Sequence, residues 1–264
     1  MKTKNLLKII FIIVILIVIV RFGWDFINIK SEKSETENQK NQENILLTEF
    51  EEVQIKEEID NYSIDVKYPE FSNISNTKAI TDANSALKNK IEDSIASFKE
   101  NIVQDAKKEL STKNILDNDY KISLLTNNVV SIQFSNYYYI VGMTHPGSYN
   151  EGFNYDFKNN KEIKLIDLFN LDVDYLSVLS TACRENLKKQ ISSSDYYSED
   201  MTDSGTEPKD YNFSNFVFTK DALTITFFPS QVAPYVAGIQ EISIPLVEMA
   251  DYNNKSELIK LITE

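Results

Sequence analysis

Residues 62–106 read YSIDVKYPEFSNISNTKAITDANSALKNKIEDSIASFKENIVQDA. In the first seven, Tyr62, Ile64, Val66 and Tyr68 alternate with polar neighbours and stop at Pro69, the pattern of a strand with one buried face. Further on, Ile80, Leu87, Ile91, Ile95, Phe98, Ile102 and Ala106 recur at steps of three, four or seven. That spacing draws a single apolar stripe along a helix, with Asp82, Asn84, Lys88, Lys90, Glu92 and Asp93 turned to water. A half-buried strand feeding a long amphipathic helix sets the expected class as α+β.

The chain downstream extends that reading. Strands are predicted at 119–126, 129–134 and 136–143, with Asn127-Asn128 taking the positive φ of a tight hairpin. A second hairpin pairs 153–157 with 162–165 across Asn159-Asn160. A second amphipathic helix covers 172–191, with Leu176, Leu179, Cys183, Leu187 and Ile191 on one face. Residues 192–212 are polar and acidic and read as a long exposed loop. Strands return at 213–219, 223–228 and 239–244. The expected fold is α+β with mainly antiparallel sheets and two long amphipathic helices, preceded by one transmembrane helix.

That transmembrane helix is read from the unbroken apolar run at 9–20. Extended from Leu6 to Trp24, with Lys8 and Arg21 reaching the two interfaces, it approaches the roughly 20 residues a bilayer requires. Lys2, Lys4 and Lys8 mark its cytoplasmic side, so the remainder is expected outside the cell membrane. There is no A-x-A cleavage pattern, the first alanine being Ala79, and an uncleaved anchor over 1–27 is expected. Residues 28–44, NIKSEKSETENQKNQEN, lack the apolar side chains to order themselves and read as a tether. The predicted division is thus a membrane anchor at 1–27, a tether at 28–44, an N-terminal α+β module at 45–125 and a C-terminal domain at 126–264.

Composition narrows the chemistry. The formal net charge is −13, and setting aside residues 1–21, which carry Lys2, Lys4, Lys8 and Arg21 and no acid, leaves −17. Such a surface repels nucleic acid and favours cationic partners. The only cysteine, Cys183, lies on a helix core face, and the only histidine, His145, lies in the loop THPGSYNEG. One His and one Cys do not make a zinc site, and no G-x-S-x-G elbow is present. The acids Asp195, Glu199, Asp200, Asp203, Glu207 and Asp210 crowd one segment without EF-hand spacing. No cofactor, no metal site and no catalytic residue is predicted.

Two longer stretches carry a family resemblance. Residues 145–169, HPGSYNEGFNYDFKNNKEIKLIDLF, and residues 216–246, FVFTKDALTITFFPSQVAPYVAGIQEISIPL, resemble the extracytoplasmic sensor domain of RsiV-type anti-sigma factors, which also accompanies PdaC-type peptidoglycan deacetylases. Residues 52–125 resemble the smaller module that precedes it in those proteins. The eight residues MKTKNLLK are too few for a sigma-binding segment, and no deacetylase catalytic domain is expected. The resemblance implies a non-catalytic binding module whose partner is a cationic, lysozyme-like protein or peptidoglycan glycan. A cell-wall-modifying enzyme, or an accessory subunit of one, is the alternative. The expected partner-binding residues are His145, Tyr149, Tyr196, Tyr197 and Tyr235, since loop tyrosines are favoured at binding surfaces.

Overall fold

A computed structural model describes residues 48–73, 76–102, 112–253 and 256–263. The expected anchor and tether, and Ala106 of the first helix, lie outside the described residues. Among the described residues no helix is long and apolar enough to cross a membrane.

The first sheet has six strands in sequence order: β1 (Glu49–Glu58), β2 (Tyr62–Ser72), β3 (Asn114–Leu125), β4 (Val129–Tyr139), β5 (Gly147–Asp156) and β6 (Lys161–Glu162). All neighbours pair antiparallel except β2 and β3, which run parallel over Tyr62–Asp65 and Asn114–Asp117. The exception follows from the connection, because α1 (Thr77–Asn101) lies between them and returns the chain in the same direction. Expected strands at 129–134 and 136–143 are one strand, β4, since Ser135 and Asn136 keep register with both neighbours. Strand β1 was not foreseen; its exposed, Glu-rich edge discourages pairing with another chain.

Pro69 sits inside β2 rather than ending it. The Lys67 N–H reaches the Asn118 Oδ1 on the β3 side at 2.6 Å, so position 69 faces that side too. Pairing with β3 ends at Asp65, and a missing N–H there breaks no ladder bond.

Helix α1 is capped by Asn76, whose side chain accepts from the Ala79 N–H at 3.2 Å. It buries Ala79, Ala83, Leu87, Ile91, Ile95 and Phe98 against Ile64, Val66, Leu116, Val130, Ile132, Phe134, Phe153 and Tyr155. The stripe begins at Ala79 and Ala83, with Ile80 only partly buried, because alanine lets the helix start close to the sheet.

The second sheet holds β7 (Phe216–Phe218), β8 (Ala222–Phe227) and β9 (Gln240–Pro245), all antiparallel. One face carries Leu223, Ile225, Phe227, Ile242 and Ile244 into a core with α2 (Tyr175–Ile191), whose Leu179, Cys183 and Leu187 are buried. Leu165, Leu168 and Phe169, in and just after a 3-10 turn, fill the same core, as do Met249, just before the short α4 (Ala250–Asn253), and Leu258, Leu261 and Ile262 of α5 (Glu257–Thr263). Asp174 caps α2, accepting from the Ser177 N–H.

Two turns part company. Asn160 has φ 53°, the left-handed conformation expected of the second hairpin. Asn127 and Asn128 do not take positive φ; the Thr126 hydroxyl oxygen instead accepts from the N–H groups of Asn128 and Val129 at 3.1 and 3.0 Å. Side-chain capture does there what backbone permissiveness was expected to do.

Residues 192–212 are not one exposed loop. They contain α3 (Glu199–Gly205), capped by Ser198 with Glu199 and Asp200 in the first turn, and Thr202, Gly205, Thr206 and Asn212 are buried. Short length and polar sequence hide this helix from periodicity.

Candidate functional site

The 228–238 loop between β8 and β9 is held from beneath. Val232 and Ala233 are buried, and the Thr202 hydroxyl donates to the Val232 carbonyl at 3.1 Å. The Gln231 amide donates to the carbonyls of Gly205 and Asn212. Gly205 carries no side chain because a Cβ would overlap the Gln231 backbone. Helix α3 therefore serves as the clamp of this loop, a role the sequence reading missed.

Above the clamp, Pro234 opens a 3-10 turn at Tyr235–Ala237, and Gly238 ends it at φ 71°. Tyr235 stands 50% exposed, and its hydroxyl donates to the Pro146 carbonyl at 2.7 Å. His145 stacks on its ring at 6.1 Å between centroids. Phe228, from the same loop, meets Tyr149 at 5.8 Å, and Tyr149 meets Tyr138 edge-on at 6.4 Å. The Tyr138 ring lies over Gly147, where any Cβ would strike it. His145, Tyr149 and Tyr235 thus join one aromatic platform with Phe228 and Tyr138, two residues not singled out from sequence. Tyr196 and Tyr197 follow α2 on another element and share no ring contact or hydrogen bond with the platform among the described residues.

Burial raises the Tyr149 phenol above its ordinary range, with Glu151 and Tyr138 adding to it, so the group stays neutral. Beside the platform opens a cleft of about 1280 Å³. It runs along the α1 flank over β5 and β6 to residues 210–216, and Tyr138 and Tyr149 line it as well. Lys90 of α1 and Glu151 of β5 form an ion pair on its wall. Tyr175, also lining it, donates to Asp210, and burial first and then Asp210 push its phenol up to about 12.

Cys183 is fully buried, and loss of water pushes its thiol up to about 12, the setting of a small hydrophobe rather than a nucleophile. No hydrogen bond links it to the exposed His145. The acids of 195–210 do not converge: Glu199 faces Lys188, Asp203 pairs with Arg184 and Glu207 with Lys209. Among the described residues no group of three or more His, Cys, Asp or Glu side chains is placed to hold a metal ion.

Residues 55–148 match the family model described as deacetylase PdaC, and residues 166–246 match the protein family of unknown function DUF3298. The chain thus resembles, in order, a PdaC-type segment and a DUF3298-type segment. Two Bacillus subtilis proteins are similar to it over part of their length. The first, peptidoglycan-N-acetylmuramic acid deacetylase PdaC, is 35% identical over 181 residues, covering 68% of this chain and 36% of that protein. The second, anti-sigma-V factor RsiV, is 30% identical over 198 residues, covering 73% of this chain and 66% of RsiV. This chain thus spans less than two thirds of either relative. A DUF3298-family structure from Bacteroides fragilis superposes with a TM-score of 0.60 at 18% identity, over 81% of this chain and 96% of that one. Another from Pseudomonas aeruginosa gives 0.53 at 14%, over 78% and 94%. At these identities the likeness concerns the fold alone.

The platform draws on both matched segments. His145 and Pro146 stand at the end of the PdaC-type match and Tyr235 near the end of the DUF3298 match.

Proposed function

We propose that this chain is a membrane-anchored, extracytoplasmic, non-catalytic binding module whose aromatic platform receives a cationic, lysozyme-like protein. The observation that carries this reading is the grouping of the exposed His145, Phe228 and Tyr235 around the half-buried Tyr149. Large rings with a polar tip supply contact area at low conformational cost, and Tyr is enriched where such surfaces bind. Relatedness to anti-sigma-V factor RsiV supports the sensor-like role. The acidic balance of the chain supports a basic partner, which it would steer from a distance.

The test is the affinity of the full-length chain, held in detergent, for a cationic lysozyme across a salt series. Saturable binding that survives near physiological ionic strength is expected. Tyr235→Ala should weaken it more than tenfold with an unchanged melting temperature, the effect of a central aromatic contact. Tyr196→Ala with Tyr197→Ala, off the platform, should change it less. Equal affinity in the Tyr235 variant would place the partner elsewhere. The alternative of a cell-wall-modifying enzyme requires turnover, and release of acetate from acetylated chitooligosaccharides by the purified chain would decide for it.

A further inference from the structure

The 228–238 loop opens in a strained turn. The Gln231 N–H donates to the Phe228 carbonyl at 3.0 Å, closing four residues with Pro229 second and Ser230 third. Ser230 has φ 70°, in the left-handed region that favours glycine. Proline followed by a positive φ is the order of a type II turn, here with a side chain at the position where glycine is preferred. Strain of this kind persists only where the surroundings over-determine the backbone.

One half-buried side chain supplies that determination. The Gln231 Oε1 accepts from the Phe228 N–H at 3.0 Å, which fixes the residue that meets Tyr149. Its Nε2 donates to the Gly205 carbonyl at 3.1 Å and to the Asn212 carbonyl at 3.0 Å. The oxygen and both amide hydrogens are therefore engaged, on the turn itself, on the end of α3 and on the 3-10 turn Asp210–Phe213. Turning the amide over would set its oxygen against two carbonyls and its N–H groups against the Phe228 N–H. The bonds thus permit one orientation of the side chain and one course of the turn. Four residues on stands Tyr235, which carries the links to Pro146 and His145.

We propose that Gln231 is the positioning residue of the platform. It holds the 228–231 turn, and Tyr235 behind it, in the conformation that the partner meets, so that docking carries no cost of ordering the loop. It acts on affinity through Tyr235 and not by touching the partner. This inference rests on the platform being the docking surface.

Two substitutions of similar size separate this role from packing. Gln231→Met removes all three side-chain bonds, and Gln231→Glu keeps an acceptor for the Phe228 N–H but sets an oxygen against two carbonyls. In the full-length chain in detergent, with no partner added, both should speed hydrogen exchange at the Phe228 and Gln231 amides about tenfold. The Phe218 amide, bonded to the Ser131 hydroxyl, should stay as slow as in the wild type. Lysozyme affinity at physiological salt should fall about fivefold in Gln231→Met, the scale of ordering one loop contact. With Tyr235→Ala already present, the same substitution should cost less than about twofold. A residue that only supported the fold would weaken both backgrounds alike. Unchanged exchange at Phe228, or an equal loss of affinity in the two backgrounds, overturns the proposal. So does a lower melting temperature with faster exchange at Phe218, which would make Gln231 a support of the whole fold. A wild-type chain that does not bind lysozyme overturns the docking reading, and the partner-free exchange still decides whether Gln231 holds the turn.

Discussion

Strands β4 and β5 present two unlike faces. Toward α1 they carry Val130, Ile132, Phe134, Phe153 and Tyr155, all buried and apolar. Toward the second sheet they carry Ser131, Gln133, Asn150, Gly152 and Asn154. There the bonds are directional. The Phe218 N–H donates to the Ser131 hydroxyl oxygen, which donates to the Asn154 Oδ1, while the Asn154 amide donates to the Phe216 carbonyl. One Glu241 carboxylate oxygen accepts from Gln133, Asn150 and Thr226. The apolar face supplies free energy with little preference for register, because burial is non-directional. The polar face supplies little net energy but specifies where the second sheet sits, and the 228–238 loop leaves from that sheet. It also covers the free edge of β7, whose backbone groups would otherwise lack partners.

The comparison breaks first on the apolar side. Phe134→Ala should cost about 3–5 kcal/mol, read as a shifted denaturation midpoint, because a ring that is 1% exposed leaves a cavity. A loss under about 1 kcal/mol would mean the α1 core tolerates voids. Gly152→Ala should come next, at about 2 kcal/mol, since its Cβ would overlap the Phe216 carbonyl and force β7 off the sheet. Faster hydrogen exchange at the Phe218 amide would accompany it. Unchanged exchange would show that the second sheet does not rest on this glycine.

The same division explains what could be read in advance. The α1 stripe was legible because apolar burial repeats every helical turn, and Asn160 because one residue type tolerates its φ. The 199–205 helix was not, since the contacts of its two buried residues, Thr202 and Gly205, depend on a loop some 30 residues later. β1 was missed because only Val53 and Ile55 alternate among its glutamates. Of the candidate site, His145 and Tyr235 were named separately, but their stacking spans about 90 positions. Phe228 looked like the end of a strand and Tyr138 like its interior. The cleft left no local signature, because its wall gathers α1, β3 to β6 and 210–216.

Asn154→Ala sharpens the comparison on its polar side. It orphans the Phe216 carbonyl and the Ser131 hydroxyl together, both buried, at about 1–3 kcal/mol. Ser131→Ala should cost a similar amount, and the pair together less than the two added, since each already breaks the other's bond. Strict additivity, measured by chemical denaturation, would mean that the network is not one unit.

The smallest effect belongs to the rim of the apolar face. The Lys99 ammonium, with the Tyr62 hydroxyl, holds the Glu57 carboxyl below its usual range, and both ends of the Lys99–Glu57 pair remain about a third exposed. Solvent screening therefore limits Glu57→Gln to about 0.5 kcal/mol at neutral pH. The sign follows from the lowered value: the charged form stabilises the fold above the ordinary carboxylate range, and the contribution disappears as pH falls through the folded-state value. Wild type and variant should then converge in stability at acid pH. A gap that persists there would mean that Glu57 acts by packing against Tyr62 rather than by charge, and would move this position from the electrostatic rim into the apolar face.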